Sequence, residues 1–124
     1  WNDSRSTLSI TPKNSTSRIV IFYDHAIAID PGSTYTRIEY RIQNTSRSAT
    51  IMQKNYIGHD GNSIQRIPMH IAGQCWDDHN SSSEQTYILQ ARYAGSGSTV
   101  EGGLLMPDWY DGSNHTMILM EIAG

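Results

Sequence analysis

The sequence predicts an all-β fold: an antiparallel β-sandwich, jelly-roll-like, of about eight strands. Three observations carry this. Strand-period alternation recurs along the chain, polar turn segments break it at short intervals, and no stretch of helical period carries helix caps. The clearest strand is 36–43. Thr36, Ile38, Tyr40 and Ile42 share one face, and Arg37, Glu39, Arg41 and Gln43 share the other. Such a strand has one buried and one wet face. On this reading a carboxylate placed at Ile38 unfolds the domain, while loss of Glu39 is silent.

The remaining elements follow in chain order. Residues 8–11 form a short strand. Residues 18–29 are apolar on both parities, as a central strand covered on both faces would be. Asp30-Pro31-Gly32-Ser33 is a turn, with proline fixing φ and glycine tolerating positive φ. Residues 50–56 and 69–76 are further strands, and His59-Asp60-Gly61-Asn62 between them reads as a hairpin turn. A polar loop follows at 77–83. The next strand sets Tyr87, Leu89, Ala91 and Tyr93 against Thr86, Ile88, Gln90 and Arg92. Glycine-rich and polar loops at 95–98, 102–103 and 111–114 surround a short apolar piece at 104–106. Residues 116–122 are again apolar on both parities and are expected to be buried on both faces. No repeat and no linker divides the chain, so residues 1–124 are expected to form one domain.

Composition narrows the function. A chain of 124 residues buries roughly two thirds of its unfolded surface, enough for a core without staples. The single cysteine, Cys75, cannot form an intrachain bridge and is expected to be a buried, inert thiol. The net charge is −3, and the nine Lys and Arg residues are scattered, so no stripe of charge tracks a nucleic-acid backbone. The longest apolar runs fall far short of the roughly 20 residues of a membrane span, so no membrane insertion is expected. Charged residues are 17 % against about 25 % in average domains; Ser, Thr, Asn and Gly fill the difference, as on many extracellular and viral β proteins. A start at Trp1 suggests a processed or excised piece, and a strand running almost to Gly124 suggests a natural domain end.

Nothing in the sequence builds an active site. The five histidines form no H-x-x-x-H and meet no C-x-x-C, calcium loops are absent, and there is no G-x-S-x-G elbow. The expectation is a non-enzyme without metal or cofactor. Asn-x-Ser/Thr sequons stand at Asn2, Asn14, Asn44, Asn80 and Asn114; they would carry glycans in a secreted eukaryotic protein and mean nothing in a bacterial virus. Two aromatic patches in polar, turn-rich segments are the candidate ligand-binding residues. The first holds Asp108, Trp109, Tyr110, Asp111 and Asn114; the second holds Trp76, Asp77, Asp78 and His79. An exposed ring stacks on the apolar face of a sugar while neighbouring polar groups take its hydroxyls. Trp109 or Tyr110 is the expected hot spot.

Three segments carry a resemblance. Ile10-Thr11-Pro12-Lys13-Asn14-Ser15-Thr16-Ser17-Arg18-Ile19-Val20-Ile21 resembles the opening of a domain at the C-terminal ends of bacteriophage tail-fibre and related virion proteins, of the marine and cyanobacterial phage type. Thr86-Tyr87-Ile88-Leu89-Gln90-Ala91-Arg92-Tyr93 is similar to its late T-Y-x-x-Q strand, and Ile118-Leu119-Met120-Glu121-Ile122-Ala123-Gly124 to its I-x-L-M-E-I ending. The middle departs, with Trp76-Asp77-Asp78-His79 where relatives show L-D-x-P. The resemblance implies a C-terminal virion-surface domain on a tail fibre or other appendage, usually a homotrimer. It implies receptor binding or adhesion to a host-surface glycan or protein, or else a structural head-decoration or fibre-capping role without a host ligand. It supplies no catalytic residue.

Overall fold

The computed structural model describes residues 1–29, 37–57, 67–93 and 116–123. Seven strands run through them: β1 (Asn2–Ile10), β2 (Arg18–Ile29), β3 (Arg37–Asn44), β4 (Ala49–Ile57), β5 (Ile67–Asp77), β6 (Gln85–Tyr93) and β7 (Thr116–Ile122). All pairings are antiparallel. One sheet has the order β1-β6-β3-β4 and the other β5-β2-β7. Every connection except β3–β4 passes from one sheet to the other, which gives the jelly-roll-like weave. The expected piece at 104–106, the candidate residues 108–114 and the turns at 30–33, 59–62, 95–98 and 102–103 lie outside the described residues.

The core is built from the inner parities of both sheets. Ile19, Ile21 and Tyr23 of β2, Ile71 and Cys75 of β5, and Met117 of β7 meet Tyr40 and Ile42 of β3 and Tyr87, Leu89 and Ala91 of β6. Burying side chains of this size contributes on the order of 1.5–3 kcal/mol each. The Tyr23 and Tyr40 rings meet edge to face across the sheets, with centroids 6.3 Å apart. β4 carries a bulge: Ile42 pairs Met52 but Gln43 pairs Thr50, leaving Ile51 as the extra residue. Ser48 closes the β3–β4 turn in the left-handed region, with φ of 55°.

Several expectations change. β1 begins at Asn2 rather than Leu8, because a polar segment with no apolar alternation still pairs through its backbone with β6. Glu39 is buried, not wet; its carboxylate accepts from Arg92 Nε at 2.7 Å and pairs with the same guanidinium at 2.6 Å. Long side chains of β3 and β6 cover one another on that face. β2 is central, as expected, yet only its inner parity is sealed: Val20 and Phe22 are half-buried and Arg18 and Asp24 are exposed. β7 is not covered on both faces. Met117 is buried, while Ile118, Met120 and Ile122 on the opposite parity are about half exposed.

Gly73 of β5 lies opposite Tyr23 of β2, and the phenol folds over it. A Cβ at Gly73 would stand 2.6 Å from Tyr23 Oη and 2.9 Å from Cζ. Because Tyr23 is buried, the ring cannot swing into water. Gly73→Ala is therefore expected to cost about 1–3 kcal/mol in urea denaturation, the range for overpacking a filled core. Ala72→Ser, next to it on the exposed parity, should leave the midpoint unchanged.

Candidate binding surface

Asp77 and Asp78 are neighbours of identical chemistry with opposite fates. β5 continues through Asp77, so Cys75 and Asp77 point inward while Trp76 points outward. Asp77 is only 4 % exposed. Its Oδ2 accepts from Asn44 Nδ2 at 3.0 Å and from Tyr87 Oη at 2.9 Å, and its Oδ1 takes the Arg47 guanidinium. Asn44 also donates to Gln85 Oε1 at 3.0 Å, and Gln85 Nε2 returns to the Ser83 carbonyl at 2.9 Å. Burial, followed by the hydrogen bond to Asp77, raises the Tyr87 phenol well above its ordinary range and keeps it a donor. Burial, with the Asp77 charge behind it, pushes the Cys75 thiol up to about 11, so it stays protonated near neutrality.

A second polar set lies beside this one. His79 is buried, and its Nδ1 accepts from the Ser81 amide at 3.0 Å. That places the ring proton on Nε2, which stands 3.4 Å from Ser17 Oγ. Ser17 Oγ is 2.6 Å from both Glu121 Oε1 and the Asn14 carbonyl, and its one proton serves either. The trio has the composition of a nucleophile, a base and a carboxylate, but the wrong wiring. A histidine that acts as base needs its serine-facing nitrogen unprotonated and its other nitrogen held as a donor. Here the Ser81 amide fixes the reverse tautomer, and the serine is itself buried. The set is a brace: Glu121 also accepts from the Lys13 amide at 2.8 Å and the Asn14 amide at 3.2 Å, tying the 11–17 loop to β7.

Of the second candidate patch, then, Asp77 and His79 lie inside the sandwich wall, and Trp76 and Asp78 face solvent. Trp76 is 58 % exposed. Arg18 lies 5.4 Å from its ring centroid and grips Asp78 with two bonds, 2.7 Å from Nε and 3.4 Å from Nη2. Asn80, with φ of 51°, donates its Nδ2 to the Asp78 carbonyl at 3.1 Å and holds the loop against that pair. The first patch, Asp108, Trp109, Tyr110, Asp111 and Asn114, lies outside the described residues. Among the sequons, Asn44 is fully buried and cannot carry a glycan in the folded chain.

Trp76 does not stand alone. Register places Trp76, Val20 and Met120 in one row across the three-stranded sheet, with Gln74, Phe22 and Ile118 in the next. Ile122 pairs with Arg18 at one end. Ile118 is 50 % exposed, Met120 48 % and Ile122 47 %. Four large side chains exposed to this extent present roughly 400 Å² of apolar surface, the size of the largest apolar patch on a typical domain, which is often a functional one. The sequence reading expected the apolar residues on both parities of 116–122 to be covered, in part by other copies of a trimer; within one chain the outer parity is open. Among the described residues no group of His, Cys, Asp and Glu is placed to hold a metal ion, and no helix is long and apolar enough to cross a membrane.

Comparison of the chain with protein-family models, with curated proteins and with solved structures finds no match.

Glu121 gives the brace a pH signature. Its hydrogen bond from Ser17, followed by that from the Lys13 amide, lowers its pKa from the ordinary 4.5. A carboxyl lowered on folding stabilises the fold above its unfolded pKa, and that contribution disappears as pH falls through the folded value. Glu121→Gln should melt below the wild type at pH 7, and the gap should close as pH falls below 4.5. Melting temperature measured from pH 7 to pH 3 checks this.

Proposed function

We propose that this chain is a non-catalytic virion-surface domain of the tail-fibre type that works by protein contact, through the outer face of the β5-β2-β7 sheet. The observation that carries this reading is the row of half-exposed apolar side chains at Trp76, Ile118, Met120 and Ile122. A soluble domain that leaves such a face in water gains stability wherever another protein surface covers it. Among the described residues, the opposite outer face, on the four-stranded sheet, shows no such row. There Arg92 pairs with Glu39, Arg41 donates to Gln90 at 2.7 Å, and both guanidinium groups lie over the Trp1 ring, 4.2 and 4.4 Å from its centroid. This difference between the faces favours the structural, decoration or capping form of the reading, in which copies or neighbouring virion proteins are the partner.

Receptor binding is the second reading, and Trp76 favours it. A Trp more than half exposed, with Asp78 and Asn80 beside it, offers a stacking ring and polar groups to a host-surface glycan or protein. In that case Trp76→Ala weakens attachment to host cells with no change in melting temperature.

Association through the face makes stability depend on concentration, because whatever binds only the folded state raises its melting point by mass action. The melting temperature of the chain should rise by several degrees between 1 and 100 µM, taken here as roughly the range over which a modest interface fills. Ile118→Lys should abolish that rise while leaving the dilute melting temperature unchanged. A melting temperature that is flat in both proteins rejects self-association at this face and leaves a neighbouring virion protein or a host receptor as the partner.

A further inference from the structure

We propose that His79 is an acid-released latch on the 78–83 loop: the ring holds the Ser81 amide only while Nδ1 carries no proton, and a proton gained there frees the loop beside Trp76. The latch does not depend on which partner covers the outer face of β5-β2-β7. Its basis is one hydrogen bond, from the Ser81 amide to His79 Nδ1 at 3.0 Å, and the burial of the ring that accepts it, which is 4 % exposed. The bond closes a turn of the kind that Asn, Asp and Ser side chains close by accepting from the backbone two residues on. The chain holds two others. Asn14 Oδ1 accepts from the Thr16 amide at 3.0 Å, and Ser81 Oγ accepts from the Ser83 amide at 3.0 Å. An amide or hydroxyl oxygen accepts at any ordinary pH. An imidazole nitrogen accepts only while it is unprotonated, and both ring nitrogens of the cation are donors.

Both ring nitrogens are committed. Nε2 carries the proton of the neutral ring and faces Ser17 Oγ at 3.4 Å, and Ser17 gives its own proton to Glu121 or to the Asn14 carbonyl. A second proton therefore goes to Nδ1, where it points at the Ser81 N–H. Two donors then face each other, and the buried ring has little water to accept from it. On the Ser17 side the ring is held by a chain of bonds that runs through Glu121 to the Lys13 and Asn14 amides. The Ser81 side is the one that yields: Ser82, Ser83 and Glu84 are exposed, and the next buried side chain is Gln85. The charged groups around the ring are accounted for. Glu121 of β7 is reached through Ser17, with Lys13 of the 11–17 loop beside it. Asp77 and Asp78, on the ring's own segment, are held by Arg47 and by Arg18 of β2. Glu121 is held below its ordinary 4.5 and so keeps its charge down to pH 5.

The same loop sets the polar surroundings of Trp76. Asp78 begins it and takes Arg18 Nε at 2.7 Å, and Arg18 lies 5.4 Å from the Trp76 ring centroid. Asn80, in the left-handed region with φ of 51°, donates to the Asp78 carbonyl at 3.1 Å. Asn80 is the residue between the two ends of the latch bond, so loss of the Ser81 contact releases its backbone and loosens its hold on Asp78. A partner that meets Trp76 finds a fixed set of polar groups beside the ring near neutrality and a loosened set in acid, a local protonation with a readout at the surface.

Histidine is the side chain whose charge changes between pH 5 and 8, so NMR of the full 124-residue chain across that range tests the latch. The Cε1–H signal of His79 reports its proton. Protection of the Ser81 amide from hydrogen exchange, corrected for the pH dependence of exchange itself, reports the bond. Protection should fall roughly tenfold or more from pH 8 to pH 5, with the midpoint of the His79 signal. His79→Asn puts an amide oxygen at the Nδ1 position, an acceptor that does not titrate, and should keep Ser81 protected throughout. The Trp76 indole N–H signal, assigned by its absence from Trp76→Phe, should move with the same midpoint. Protection that stays constant over the range, or falls at a pH other than the midpoint of the ring, overturns the latch. A folded His79→Asn that loses protection in acid as the wild type does overturns it as well. Where His79→Asn does not fold, the two wild-type midpoints decide alone. A Trp76 signal that ignores the transition overturns the reach of the latch to that patch.

Discussion

A carboxylate buried between two sheets has to be satisfied by both of them, and much of this molecule is arranged around that requirement at Asp77. Leaving such a group unpaired costs several kcal/mol, so its partners are fixed in place by necessity. Asn44 comes from the end of β3, Tyr87 from β6 and Arg47 from the β3–β4 turn, while Asp77 itself ends β5. One side chain therefore pins the four-stranded sheet to the three-stranded one at this end of the sandwich. The turn that carries Arg47 is held in its own right. The Thr45 amide donates to the Thr86 carbonyl at 2.8 Å, and the Thr86 amide donates to Ser46 Oγ at 3.0 Å. The Ser17, His79 and Glu121 brace then secures β7 and the 11–17 loop to the same end.

A rigid polar end is what lets the outer face of β5-β2-β7 remain open. The apolar rows there are held at fixed spacing by an antiparallel ladder whose inner side is locked by the core and by Asp77. A surface set this firmly needs little ordering when it meets a partner, which lowers the entropic cost of binding. The two outer faces of the sandwich differ. Among the described residues the four-stranded face carries ion pairs and guanidinium–indole contacts, and the three-stranded face leaves apolar side chains exposed. Trp76 sits where that apolar row meets the Arg18–Asp78 pair.

Much of this fold can be read from the sequence, because alternation with a period of two reports directly on which side chains share a side. β2 and β7 were bounded correctly at both ends, and β3 and β6 to within a residue. What alternation does not report is what lies against each side. Apolar residues on both parities of 116–122 fit a strand covered twice within one domain equally well as a strand that shows one face to a partner. The same limit hid the burial of Glu39, whose carboxylate pairs with a long arginine on the adjacent strand. Asp77 was misplaced for a more local reason. Ending the strand at Trp76 put both aspartates in the loop, and one more residue of extended chain carries the first of them inside. The partners Asn44, Arg47 and Tyr87 come from distant parts of the chain, and no spacing in the sequence brings them together.

The claim that Asp77 ties the sheets together is tested most directly by comparing it with its neighbour in equilibrium urea denaturation at pH 7. Asp77→Ala leaves the Tyr87 hydroxyl and an Asn44 amide proton buried without their acceptor. It should lower stability by about 3 kcal/mol, at roughly 1–3 kcal/mol for each group so stranded. Asp78→Ala removes only an exposed ion pair and should change stability by less than about 1 kcal/mol. Equal midpoints for the two variants would contradict the account.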